Sequence, residues 1–181
     1  GLIGLGAIGK ETARICRGIG MSIAGYDPML SKEEVEKYNI EYFANIDELL
    51  INSDIISIHV PLVESTKNMI SMKELKMMKS SALLINCSRG GIVNEKDLRD
   101  ALNNKIIGGA GLDVFSEEPL QKENDIWSCN NLILSPHSAA QTKEAVVKMA
   151  TMCVEGCLSI IEGKKWPYVA NPEVYKHPKW Q

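Results

Sequence analysis

The sequence predicts an α/β domain built on a doubly wound parallel sheet. Two observations carry this. Short apolar runs alternate with helical patterns along the 181 residues, and a Gly4-x-Gly6-x-x-Gly9 turn joins the first run to the first helix. Strands separated by helical crossovers pair in parallel, with helices on both faces.

The elements follow in order. Leu2-Ile3 ends a strand, and its start is expected upstream of Gly1. Positions 8 to 19 read as a helix with Ala13, Cys16 and Ile19 on its inner face. Residues 21–26 form a second apolar run. Ser31 and Glu34 have capping-box spacing and start a short helix. Residues 41–43 are a third strand and 47–51 a helical turn. Residues 54–60 are a strand buried on both faces and stopped by Pro61. Helix is expected over 72–78, strand over 82–86, and helix over 94–103 with Leu98, Ala101 and Leu102 inward. Glycine-rich 109–114 and apolar 131–134 complete the sheet. Residues 142–162 are a long helix with Ala145, Met149, Met152, Cys153, Cys157 and Ile160 as core filler. The domain is expected to end near residue 165. Residues 166–181, with Pro167, Pro172 and Pro178, read as an extended crossing segment.

Bulk properties narrow the function. A net charge of −3 argues against a broad grip on nucleic acid. There is no apolar run of membrane length and no signal-like segment. The five cysteines are odd in number and scattered, which suits a reducing compartment, hence the cytoplasm, rather than a disulfide framework. Cys153 and Cys157 share a helix face, but further ligands are lacking and no metal site is expected.

In parallel sheets, ligands bind outside the carboxyl ends of the strands. Gly4 allows a tight turn there, Gly6 lets the backbone approach a pyrophosphate, and Gly9 lets the helix pack on the strand. The helix N-terminus adds unpaired N–H groups and partial positive charge. This is the Rossmann-type dinucleotide arrangement. Asp27 ends the second strand, eighteen residues beyond Gly9. Its carboxylate suits the ribose hydroxyls and repels a 2′-phosphate, so NAD is expected over NADP. The plainer reading of Asp27 is a strand-end turn residue before Pro28.

Later strand ends carry His59-Val60-Pro61, then Asn86-Cys87-Ser88-Arg89-Gly90-Gly91, then Asp113 with Glu118 five residues on, then Ser135-Pro136-His137. Arg89 offers a planar fork for a carboxylate. His137 exchanges a proton near neutral pH. Glu118 could hold the other imidazole nitrogen, fixing the tautomer and favouring imidazolium. Such a set suits hydride transfer between NAD and a 2-hydroxy or 2-oxo acid. Glu117 reads as solvated and His59 as structural. His177 reads as idle, and Trp127, Trp166 and Trp180 as packing or interface residues.

These runs resemble the D-isomer-specific 2-hydroxyacid dehydrogenases, in the family's order and over nearly the whole chain. The matching stretches are Gly-Leu-Gly-Ala-Ile-Gly, His-Val-Pro-Leu, Leu-Ile-Asn-Cys-Ser-Arg-Gly-Gly, Gly-Ala-Gly-Leu-Asp-Val-Phe-Ser-Glu-Glu-Pro-Leu and Ser-Pro-His-Ser-Ala-Ala-Gln-Thr. The resemblance implies Arg89, Glu118 and His137 as the catalytic set and Asp113 against the nicotinamide carboxamide. It implies Ala7, Ile8, Asp27, Val60, Pro61, Cys87, Ser88, Ala139 and Ala140 around NAD, beside Gly4, Gly6, Gly9, Arg89 and His137. It also implies a homodimer through the cofactor domain and a separate substrate domain, without which residues 1–181 would bind NAD yet turn over little. Ala7 stands where arginine is frequent in the family, and Val63 where threonine is common. 3-Phosphoglycerate is one substrate it suggests. NAD-sensing corepressors resemble the same family and are the alternative. Formate dehydrogenase is a further rival, disfavoured because it carries an amide where Glu118 stands.

Overall fold

A computed structural model describes residues 1–180; Gln181, the last residue of the expected tail, lies outside the described residues. By its contacts the chain forms two compact units, 1–137 and 138–181.

The first unit carries the sheet. β1 (Leu2–Ile3) leads through the glycine turn to α1 (Ala7–Gly18), then β2 (Ala24–Tyr26), α2 (Lys32–Glu36), β3 (Glu41–Tyr42), α3 (Ile46–Asn52) and β4 (Ile55–Ile58). The second half adds α4 (Met72–Leu75), β5 (Leu83–Asn86), α5 (Glu95–Asn103), β6 (Gly109–Leu112) and β7 (Leu132–Leu134). The seven strands lie in the order β3-β2-β1-β4-β5-β6-β7, all parallel. The order reverses between β1 and β4, so a crevice opens at the carboxyl ends of these two strands.

Local sequence explains the helix starts. Ser31 accepts from the Glu34 N–H while the Glu34 carboxylate accepts from the Ser31 N–H. Asn45 and Asn94 cap α3 and α5 with their side-chain oxygens. The sheet separates two cores because strand side chains alternate faces. Leu2 joins Leu5, Ala13, Val35 and Ile40 on one side. Ile3 faces the larger cluster, with Ile56, Ile58, Leu84, Leu98 and Leu112.

Several expectations are corrected. Ile19 is not on the inner face; it caps the C-terminus of α1 and is 73% exposed. The helix stops before it, and Gly20 turns the chain at φ +93°. Ala13 is buried as expected, Gly9 is buried beside it, and Cys16 is half-buried. Met21 is exposed and precedes β2. β4 and β5 are fully buried on one face only: Ile56, Ile58 and Leu84 are covered, while Ile55, Ser57 and Ile85 are half-buried and Leu83 is exposed.

The second unit contains α6 (Lys143–Ile161), capped by the Thr142 hydroxyl. The core-filler face of this helix is not buried: Ala145 and Met152 are half-buried, and Met149, Cys153, Cys157 and Ile160 are exposed. Val146, Val147, Val154, Leu158 and Ile161 are exposed as well. Apolar side chains thus cover most of the helix circumference, all but a strip at Glu144, Lys148, Thr151 and Glu155, more than its own short unit can cover. The tail is not simply extended. It forms 3₁₀ turns at Pro172–Lys176 and Pro178–Trp180, and the Tyr175 hydroxyl bonds both the N–H and the carbonyl of Trp166. Among the described residues, no helix is long and apolar enough to cross a membrane.

Candidate active site

The nucleotide end is built where β1 meets α1. Gly4 has φ +92° and donates its N–H to the Tyr26 carbonyl. A Cβ on Gly4 would lie 2.8 Å from Val60 Cγ1 and 2.9 Å from the His59 carbonyl carbon. A Cβ on Gly9 would fall 2.2 Å from the Gly4 oxygen. Both positions therefore admit only glycine without displacement of backbone. Gly6 differs: nothing lies within 4 Å of its Cβ position. That is open space directly before the N-terminus of α1, where no side chain caps the first turn. Room for a backbone approach beside uncapped helix N–H groups fits a dinucleotide pyrophosphate. Ala7 and Ile8 are exposed at this end.

Asp27 is tied to the turn. Its Oδ2 accepts from the Leu5 N–H at 2.8 Å and its Oδ1 from the Met29 N–H at 2.9 Å. Each oxygen keeps a lone pair for a further donor. Beneath the turn, His59 Nε2 lies 3.0 Å from the Ser57 hydroxyl, and burial pushes its pKa below the usual imidazole range. The expected structural role of His59 agrees with this position. Val60 reaches the turn on one side, and its carbonyl accepts from the Ser88 hydroxyl at 2.7 Å on the other. The Pro61 carbonyl accepts from Thr66.

The reactive end is built after β5, β6 and β7. Asn86, buried at the end of β5, accepts from the Ser88 N–H and donates to the Arg89 carbonyl at 2.9 Å. This pins the turn and leaves the Arg89 side chain exposed, with Nη1 donating to the Ser88 carbonyl. A Cβ on Gly90 would lie 1.9 Å from the Phe115 oxygen. The Arg89 turn and the Phe115–Glu118 segment therefore touch backbone to backbone.

Asp113 is buried; its N–H donates to the Asn86 carbonyl and its Oδ1 accepts from the Ser135 hydroxyl at 2.6 Å. The His137 N–H donates to the Asp113 carbonyl at 2.8 Å, and His137 sits at φ +51°, a conformation rare for a non-glycine residue. His137 Nδ1 lies 2.8 Å from Glu118 Oε2, while Oε1 accepts from the Phe115 N–H. The hydrogen bond from His137, then that from Phe115, hold the Glu118 carboxyl below its ordinary pKa. Glu118 and His137 also border a cavity of about 510 Å³ walled by Phe115, Leu120 and Trp127. Burial and the Asp113 carboxylate push the Cys87 thiol up from its ordinary pKa.

The structure thus joins Glu118 to His137 directly, Arg89 to the Glu118 segment through Gly90, and Asp27 to the glycine turn. Ala139 and Ala140 belong to the second unit. Asn86 and Ser135 stand in the strand-end runs of the sequence, which do not show that Asn86 pins the Arg89 turn or that Ser135 holds Asp113. A polar residue closing an otherwise apolar strand was the available signal for Asn86.

Residues 1–139 match the family described as D-isomer specific 2-hydroxyacid dehydrogenase, NAD binding domain. D-3-phosphoglycerate dehydrogenase of Methanocaldococcus jannaschii is 39% identical over 171 residues, covering 94% of this chain and 32% of that protein. Glyoxylate reductase of Aeropyrum pernix is 40% identical over 176 residues, covering 97% of this chain and 52% of that one. D-lactate dehydrogenase of Lactobacillus jensenii, solved with NAD+, superposes with a TM-score of 0.84 at 34% identity, over 94% of this chain and 54% of that chain. The chain therefore spans a third to about half the length of these relatives. With the glycine turn, the Asp27 clamp and the Glu118–His137 pair in place, the chain belongs to the D-isomer-specific 2-hydroxyacid dehydrogenase family, as its NAD-binding domain.

Proposed function

We propose that the whole protein interconverts a D-2-hydroxy acid and a 2-oxo acid, with Arg89, Glu118 and His137 as its catalytic residues. The observation that carries this reading is the 2.8 Å contact between His137 Nδ1 and Glu118 Oε2. An ionised carboxylate only accepts, so Nδ1 carries a proton there and proton exchange with a substrate falls to Nε2. Glu118 orients the ring. Arg89 holds the substrate carboxylate through its planar fork. Bound NADH supplies the hydride that the carbonyl carbon accepts. His137 gives a proton to the carbonyl oxygen in that direction and takes it back from the hydroxyl in the other.

Around the cofactor, the turn Gly4, Gly6, Ala7, Ile8 and Gly9 receives the pyrophosphate and Asp27 the ribose hydroxyls. Val60, Pro61, Cys87 and Ser88 line the remainder, and Asp113 meets the carboxamide. Small 2-oxo acids are the substrate class. Glyoxylate, pyruvate and the 2-oxo acid that corresponds to 3-phosphoglycerate head the panel, since the named relatives are a glyoxylate reductase, a D-lactate dehydrogenase and a D-3-phosphoglycerate dehydrogenase. Those names favour an enzyme over a corepressor, and the acid at Glu118 favours hydroxy acids over formate. A homodimer through this domain and a reducing cytoplasmic setting complete the reading; all five cysteines are free. The test is NADH oxidation by the full-length protein with a panel of 2-oxo acids. Tight NAD binding with no turnover of any acid overturns the proposal.

A further inference from the structure

We infer that Glu95 is a positioning residue that holds the Phe115–Glu118 segment, and with it the orientation of Glu118 towards His137. Glu95 is the first residue of α5 and lies twenty-one residues before Ser116. Its Oε1 accepts both the Ser116 N–H at 2.5 Å and the Ser116 hydroxyl at 2.7 Å. An acid in a first helical turn has a simpler use, complementing the positive end of the helix dipole. That use needs no partner, and Asp97 already stands in the same turn. Glu95 instead reaches out of its helix to a loop carrying the proposed catalytic acid.

The segment it grips has little freedom elsewhere. Gly90 packs under it so closely that an added Cβ would lie 2.6 Å from Ser116 N and 1.9 Å from the Phe115 oxygen. The contact with Gly90 blocks one direction and Glu95 restrains the rest. The next peptide N–H back, that of Phe115, donates to Glu118 Oε1. The Val114–Phe115 peptide that carries this N–H adjoins the Phe115–Ser116 peptide gripped by Glu95, so the grip bears on where one Glu118 oxygen is held, and the other oxygen meets His137. Glu95 acts through this chain of contacts and touches neither substrate nor cofactor. Ser116 is exposed, so without Glu95 its donors turn to water and the fold loses little. The loss falls on alignment, where a displacement near 1 Å costs up to about a hundredfold in rate.

The inference rests on the catalytic reading of Glu118 and His137, and its test has one arm that does not. In the full-length protein, the Glu118 carboxyl is followed by ¹³C NMR titration, its signal assigned by loss in E118Q. The groups facing it are His137, the Phe115 N–H and Asp113. Glu95→Ala should move the Glu118 titration up towards the ordinary carboxylate value. Glu95→Gln, whose amide oxygen accepts the same two bonds, should restore it. Ser116→Ala, which leaves α5 intact, should give a smaller shift in the same direction and covers poor folding of the first variant. In the kinetic arm, Glu95→Ala should lower kcat by about tenfold or more, with NAD affinity held within about twofold and most of the loss recovered by Glu95→Gln. An unshifted Glu118 titration in Glu95→Ala, or a Gln variant no better than Ala, overturns the inference. Absence of turnover in the unmutated protein overturns the catalytic reading instead, and the titration still decides Glu95.

Discussion

The Glu118 carboxylate is shared between two partners that face different ways. Oε2 lies 2.8 Å from His137 Nδ1, and Oε1 takes the Phe115 N–H at 3.0 Å. His137 is fixed in turn by its own N–H, which donates to the Asp113 carbonyl. Acid and imidazole are thus positioned by backbone at both ends, on loops that follow separate strands, before any substrate arrives.

Replacing His137 with Asn should lower kcat by about 10²- to 10⁴-fold, the usual contribution of a positioned general acid. NAD affinity, measured by fluorescence titration, should change by less than about threefold. A loss confined to NAD binding would contradict the assignment.

Arg89→Lys should act on the acid substrate. A lysine keeps the charge but loses the planar fork. Loss of one charge-assisted bond of about 2 kcal/mol corresponds to a fall of roughly thirtyfold in kcat/KM. Steady-state kinetics with the best acid of the panel checks it.

Asp27→Ala should have two effects. The Leu5 and Met29 N–H groups lose their acceptor, which should cost about 1 kcal/mol in chemical unfolding. Two ribose contacts disappear, so NAD should bind roughly ten- to a hundredfold more weakly. NADP should lose less than NAD, because carboxylate repulsion of the 2′-phosphate is relieved.

Gly90→Ala should destabilise the first unit by on the order of 3 kcal/mol, because its Cβ would collide with fixed backbone at Phe115 rather than with a side chain able to rotate. Gly6→Ala meets nothing within 4 Å. It should leave the melting temperature nearly unchanged while weakening NAD. Calorimetry and NAD titration of the two variants make the comparison.

His59 should contribute acid sensitivity. Burial holds its pKa below the ordinary value of about 6.5, so the native state resists protonation that the unfolded chain accepts. Stability is therefore complete above about 6.5, falls as pH drops from there to the lowered native value, and does not fall further below it. His59→Gln should flatten the melting temperature across that window. An identical pH slope in the variant would refute this.

The sequence alone determined the strand–helix alternation, the parallel sheet, the glycine turn and the residues at each strand end. These are local: hydrophobic period, capping residues and Gly or Pro punctuation act over a few neighbours. It also named Asp27, Arg89, Glu118 and His137, through their places after strands and the resemblance of the runs holding them. It could not show how they are held. Asn86, Glu95, Ser116 and Ser135 act on partners two to twenty-two residues away, through directional bonds that leave no periodicity. It also misjudged Ile19 and the inward face of α6. An apolar pattern shows that a surface needs cover, but only the tertiary structure decides whether the same chain supplies it. Around α6 the apolar side chains spread over all but the strip of Glu144, Lys148, Thr151 and Glu155, more than one short unit can bury. Gly90 lies between these limits: its identity is plain in the sequence, and its reason is the Phe115 backbone packed against it.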